Sequence, residues 1–161
     1  GAETESGRTG AISGSVLAQY IRIRCGRNTV NAGTHILEIV VQHFGLEMTV
    51  DATSPNTLNN VPGLTDGVIS TDLWVEKGFY TGTGPAMTSC SVYTEIIIDL
   101  GSRRAVTEIT YYPYYGESRS YCTQSIAVST TGAFAGEETG LFSCGTYAEC
   151  GAETESGRTG A

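Results

Sequence analysis

The first eleven residues of this chain are repeated as its last eleven. Residues 1–11 read GAETESGRTGA, and residues 151–161 read the same eleven letters at an offset of 150 residues. Chance does not produce identity over eleven positions, and similarity at a fixed period is typical of repeat proteins. The sequence therefore predicts a tandem array of near-identical 150-residue units, of which this chain holds one unit and the start of the next. A duplication introduced by cloning is the alternative interpretation.

Charge and length narrow the function classes. The 161 residues include 9 basic and 17 acidic side chains, which gives a formal charge of −8. Such a chain repels a phosphate backbone, so nucleic-acid binding is not expected. No apolar run approaches the roughly 18–20 residues that cross a bilayer, so no membrane span is expected, and any signal peptide should lie outside this segment. The length fits one compact domain.

The local pattern is typical of an all-β protein. Residues 18–24 alternate polar and apolar side chains, which is the two-residue period of a strand with one buried face. Runs rich in β-branched and aromatic residues also cover 35–42, 94–100, 105–115 and 122–129. No segment shows a sustained helical period. Together with the Gly- and Thr-rich loops, these runs predict an antiparallel β-sandwich or jelly roll.

The same period predicts the core of the sandwich. Apolar side chains on the inward face of these runs should supply most of the surface buried between two sheets, each contributing roughly 1.5–3 kcal/mol when buried. These side chains are Ile21, Ile23, Ile36, Ile39, Val41, Ile96, Ile98, Ile109, Ile126 and Val128.

Several of these runs resemble one known family. The stretches TDGVISTDLW (65–74), EIIIDLGSRRAVTEITYYPYY (95–115), SIAVSTTG (125–132), QYIRIRC (19–25) and NAGTHILEIVV (31–41) resemble the discoidin or coagulation-factor C-type family. The resemblance implies a galactose-binding-like β-sandwich and covers most of the 150-residue unit. The order is rotated, because the strands at 19–25 and 31–41 come last in the family and first here.

The rotation predicts how the chain divides. Residues 1–45 should be the closing strands of a sandwich domain, 46–150 its main body, and 151–161 the start of the next identical repeat. Segment 1–45 closes either the sandwich of its own chain, as in a circular permutant, or that of a neighbouring copy by strand donation. Only residues 43–45 separate the last strand of one domain from the opening of the next, so consecutive domains should touch.

Catalysis is not expected. His35 and His43 are the only histidines, and the sequence has no nucleophile elbow, no His-Glu-x-x-His pair and no phosphate-binding loop. His35 is expected to order the turn that precedes its strand.

Calcium is the candidate ion. The turn around residues 65–71 offers carboxylate, hydroxyl and carbonyl oxygens, which are the ligands that calcium prefers. In calcium-binding members of the fold, an aspartate before glycine, a downstream hydroxyl residue and a glutamate of the final strand share one ion. The resemblance thus implies Asp66, Thr71 and Glu38 as side-chain ligands. The alternative is a hydrogen-bonded turn at Asp66 and a Glu38 that pairs with an arginine.

Carbohydrate binding is a second activity that the resemblance implies, through aromatic faces and polar side chains. The candidate contacts are Trp74, Tyr80, Tyr114, Arg119 and Tyr121. The alternative for the tyrosines is half-buried strand packing together with contact to a neighbouring copy.

Five cysteines favour disulfides and an oxidising compartment. Cys144 and Cys150 flank five residues and could close a small loop. Cys90 and Cys122 flank the two central strands, and Cys25 ends the strand at 19–25. Two bridges would leave one thiol in every unit, either for a bond between copies or as a buried cysteine.

Two functions follow from these features. The first is a structural repeat unit of an extracellular filament, sheath or adhesive array, whose partners are neighbouring copies of the same repeat. The alternative is a lectin-like module whose repetition raises avidity for surface glycans. Near-identity between repeats favours the first, because every unit of a lattice must offer the same contacting faces.

Overall fold

The computed structural model describes residues 8–30, 33–44, 46–47, 51–53, 79–81, 90–91, 93–114, 119–136, 139–150 and 158–160. Nine strands and one short helix lie in these ranges. The strands are β1 (Arg8–Gly26), β2 (Gly33–His43), β3 (Leu46–Glu47), β4 (Asp51–Thr53), β5 (Phe79–Thr81), β6 (Tyr93–Pro113), β7 (Gln124–Ser129), β8 (Thr139–Cys144) and β9 (Arg158–Gly160), and the helix is α1 (Tyr147–Cys150).

One hydrogen-bonded sheet connects all nine strands. Its order is β3-β2-β6-β1-β7-β8, with β4 also paired to β6, β5 to β2 and β9 to β1. Every pairing is antiparallel except that of β1 with β9. The predicted all-β class is therefore confirmed, while the finer jelly-roll and galactose-binding-like assignment stays a prediction.

The long ladder between β1 and β6 bends at two bulges of opposite sense. Between Ala11 and Val16, β1 has three more residues than the facing stretch of β6, and between Ala18 and Tyr20 it has three fewer. The two irregularities cancel, so the register beyond them is the same as before. Gly14 and Gly101 lie inside the bulges at φ values of 85° and 79°, which favour glycine.

Both halves of the ladder between β1 and β6 contribute side chains to one core. All ten residues predicted for the core are buried, and none exposes more than 2% of its surface. They belong to a single apolar cluster with side chains from β1, β2, β6 and β7. Tyr111 and Tyr121 add two large, fully buried rings. The sequence-based prediction of the core is confirmed.

A bulge in β2 explains how Ile36 and Ile39 come to lie on the same face of the strand. Ile36 pairs with Pro113 while Glu38 pairs with Tyr112, so Leu37 is an extra residue in β2. A strict two-residue period would place Ile36 and Ile39 on opposite faces. The bulge shifts the period by one residue and brings both into the core. Pro113 lies at this irregularity and at the end of β6, where a residue without a backbone N–H is tolerated.

The two predicted segments of the unit share one sheet within the chain. β1 and β2 come from residues 1–45, and both pair with β6, which comes from residues 46–150. His43 and Phe44, which the sequence places between domains, lie at the end of β2 and directly after it, and His43 pairs with Leu46 of β3. The strand ladder is therefore continuous across the predicted joint.

Candidate functional site

The start of β2 gathers residues that are far apart in the sequence. The backbone N–H of Tyr114 donates to the carbonyl of His35 at 2.8 Å. The Tyr121 hydroxyl donates to the carbonyl of Tyr114 at 2.8 Å and lies 3.4 Å from that of His35. Tyr80, in β5, pairs with Thr34 through the backbone. We call His35, Tyr114, Arg119 and Tyr121 the His35 cluster.

The His35 cluster is largely closed to solvent. The Arg119 guanidinium lies 4.6 Å from the centre of the Tyr114 ring, and Arg119 is only 4% exposed. Tyr121 is fully buried and Tyr114 is half-buried. Burial, together with the nearby charge of Arg119, lowers the pKa of His35 to about 4. At neutral pH the cluster therefore holds a neutral imidazole beside a permanent cation.

Three predicted carbohydrate contacts thus lie in one place. Tyr114, Arg119 and Tyr121 converge, and of these only Tyr114 keeps substantial exposed surface. The backbone of Tyr80 lies beside them in β5, whereas Trp74 is outside the described residues. Sugar binding through a ring face would here rest on Tyr114, whose ring is also in contact with Arg119.

The structure describes only one of the three predicted calcium ligands. Glu38 is fully buried in β2, whereas Asp66 and Thr71 lie outside the described residues. Among the side chains that the structure describes, no group of three or more His, Cys, Asp or Glu comes together as a metal site. Calcium binding therefore stays a prediction.

Two disulfides join four of the five cysteines. Cys90 bonds to Cys122, and Cys144 bonds to Cys150, which closes the small loop that the sequence allowed. Such bonds indicate an oxidising environment. Cys25 belongs to neither bridge and is fully buried in the core. A covalent bond between copies through Cys25 would require the core to open, so burial is the alternative that the structure favours.

Exposed apolar side chains surround the bend of β6. Leu17, Phe44 and Leu46 are 54%, 67% and 72% exposed. Leu17 pairs with Ala105, and the backbone N–H of Phe44 donates to Thr107 at 2.9 Å, which brings β1 and the β2–β3 hairpin to the same bend.

Arg103 and Arg104 also lie at the bend of β6. His43, Arg103, Arg104 and Ala105 line an open cleft of about 320 Å³. We call Leu17, Phe44, Leu46, Arg103 and Arg104 the bend surface. This surface was not predicted from the sequence, although the short apolar segment at the predicted joint was a signal.

Three described residues of the second copy of the repeated segment pair with their equivalents in the first copy. Arg158, Thr159 and Gly160 of β9 pair in parallel with Arg8, Thr9 and Gly10 of β1, and each residue faces its own equivalent. The opposite edge of the same stretch of β1 pairs with β6. This register was not predicted from the sequence.

No family model, no curated protein and no solved structure matches this chain. Within the described residues, no helix has the length and apolar character needed to cross a membrane.

Proposed function

We propose that the chain is a structural repeat unit of an extracellular filament, sheath or adhesive array. The observation that carries the proposal is the pairing of β9 with β1, in which the residues that open the next copy lie in register on those that open this one. A unit that pairs with the first residues of its successor brings the two units into direct contact.

The bend surface supports the same proposal. Monomeric proteins rarely cluster large exposed apolar side chains, and such clusters mark interaction sites. The chain has a net charge of −8, so the arginines at 103 and 104 are complementary to the overall charge of another copy. A neighbouring copy is therefore the occupant that we assign to this surface.

The disulfides support an extracellular location, since bonds of this kind form and persist outside the cytosol. The discoidin-type assignment belongs to the proposal as well. It is supported by the residues that carry the resemblance.

A protein of several consecutive repeats tests the proposed function. Small-angle X-ray scattering under non-reducing conditions should give one fixed distance between neighbouring units, because contacts at each junction restrict their orientation. A broad distribution of distances, such as a flexible linker produces, would contradict the structural role.

A lectin-like module is the second candidate. It is favoured by the convergence of Tyr114, Arg119 and Tyr121 at the start of β2. If this candidate is correct, replacing Tyr114 by Ala should abolish binding to a glycan array while replacing Tyr147 by Ala does not.

Calcium is tested separately, since a bound ion stabilises the folded state. Chelation should lower the melting temperature of the parent protein but not that of Asp66→Ala.

A further inference from the structure

The stretch Arg8–Gly10 of β1 has partners on both of its edges. On one edge it pairs antiparallel with β6, where Arg8 faces Tyr111 and Gly10 faces Ile109. On the other edge it pairs in parallel with β9. No further strand can pair with this stretch without displacing one of the two.

The parallel pairing determines which edge β9 uses. Paired residues lie on the same face of a sheet, and equivalent residues of parallel strands direct their N–H and C=O groups to the same side. β9 and Arg8–Gly10 are therefore related by a simple shift across the sheet. It follows that β9 turns toward β1 the same backbone edge that Arg8–Gly10 turns toward β6.

This geometry has a consequence for an array of identical units. In the next unit, residues 158–160 are the equivalents of 8–10, and the β6 of that unit would need the same edge. One edge cannot carry two strands. We propose that the edge of β1 at Arg8–Gly10 is the docking site for the Arg-Thr-Gly segment of the following repeat, and that this segment leaves its own β6 when it docks. The inference rests on the proposed function, because the partner is the next repeat.

The two positions that the Arg-Thr-Gly segment can occupy differ in how strongly they hold it. The position on β6 offers four antiparallel residue pairs, from Arg8 to Ala11, whereas the position on the preceding β1 offers three parallel pairs. Antiparallel pairing is slightly more stable per residue, so a folded second unit should hold most of the segment on its own β6.

The tether between the units keeps the docked position accessible. Cys150 is buried and bonded to Cys144, and only seven residues separate it from Arg158. Because this separation is short, the Arg-Thr-Gly segment stays within reach of β1 when it is not docked. When docked, neighbouring units share a continuous sheet. When undocked, the chain alone connects them through this segment.

Cysteine cross-linking tests the docked position in the 161-residue chain. Neighbouring strands lie about 4.8 Å apart, within the range of Cα separations that a disulfide bridges. Thr9→Cys combined with Thr159→Cys should therefore form a bond within one chain. The matched control is Thr9→Cys with Arg158→Cys, because positions one residue out of register lie on opposite faces of a sheet. The control should give at least about tenfold less product, and peptide mapping separates the new bond from the two existing bridges.

A protein of two complete units tests the exchange. The in-register cross-link should fall severalfold relative to the 161-residue chain, because the β6 of the second unit competes for the segment. Equal yields in the two proteins would overturn the shared edge, and absence of the in-register bond from the 161-residue chain would overturn docking. Absence of the in-register bond would remove one support of the structural role, which the scattering experiment tests independently through the spacing of units.

Discussion

Gly26 ends β1 where only a glycine fits. Its backbone N–H donates to the carbonyl of Cys122 at 2.8 Å, and a Cβ at this position would overlap that carbonyl oxygen. The carbonyl has little freedom to move, since Cys122 is buried and bonded to Cys90. The close approach therefore joins the end of β1 to the disulfide-bonded segment that precedes β7.

Replacing Gly26 by Ala should lower the free energy of unfolding by roughly 1–3 kcal/mol, because the backbone must move apart and the hydrogen bond lengthens. Gly140→Ala is the matched control, since an added Cβ at Gly140 meets nothing within 4 Å. Its effect should stay within about 0.5 kcal/mol. Urea unfolding measures both variants, and similar losses at the two positions would show that the contact with Cys122 is unimportant.

His35 should make stability depend on pH. Burial and the charge of Arg119 lower its pKa from 6.5 to about 4. The unfolded chain therefore takes up a proton near pH 6.5, whereas the folded protein does so only near pH 4. Stability should fall as the pH drops through this window, by about 3 kcal/mol at most, and the loss is complete below it.

His35→Gln tests this dependence, because a neutral side chain cannot take up the proton. The difference in unfolding free energy between pH 7 and pH 4.5 should shrink in this variant. His43→Gln is the matched control, because it removes the other histidine, which lies outside the His35 cluster. If both variants lose equal amounts of the pH dependence, the burial of His35 is not its source.

At the scale of the strands, the sequence predicts which side chains form the core better than it predicts how the strands pair. The two-residue period places all ten predicted residues in the core because burial selects side chains directly. The two-residue period does not reveal that the runs predicted at 94–100 and 105–115 contribute to one strand, β6. The bulge between the two runs depends on the register of β6 with β1. The bulge at Leu37 is hidden for the same reason, as only the pairing with β6 exposes the extra residue.

The candidate sites follow the same division. The resemblance implied Tyr114, Arg119 and Tyr121 as carbohydrate contacts, and these three residues do lie together. It could not show that Tyr121 and Arg119 are buried, because burial depends on strands that are distant in the sequence. The repeat was evident from eleven identical letters, but its parallel register with β1 is a property of the folded sheet.

The two disulfides should differ in how much they stabilise the fold. The bond between Cys90 and Cys122 spans 32 residues of sequence, and that between Cys144 and Cys150 spans 6. Loop entropy in the unfolded chain predicts contributions of about 4 and about 2 kcal/mol. Double substitution of each pair by Ala, followed by urea unfolding, measures them. A larger loss from the shorter loop would contradict the entropic argument.

At the scale of the whole molecule, the bend surface should drive contact between copies. Phe44 is 67% exposed at a φ of 46°, a conformation that Asp tolerates better than most residues. Phe44→Asp should therefore weaken self-association at least about tenfold without lowering the melting temperature. Val30→Asp is the control, because Val30 is exposed on the turn capped by Asn28. Sedimentation velocity measures association, and equal effects of the two variants would remove the bend surface from the interface.

Electron microscopy of a protein of several repeats, under non-reducing conditions, tests the structural role most directly. Every unit carries the same β1 edge and the same bend surface, so equivalent contacts should recur at each junction. We expect a continuous filament in which successive units follow one another at a constant spacing and a constant angle. Separate beads on a flexible string, with no preferred angle between neighbours, would contradict the proposed structural repeat.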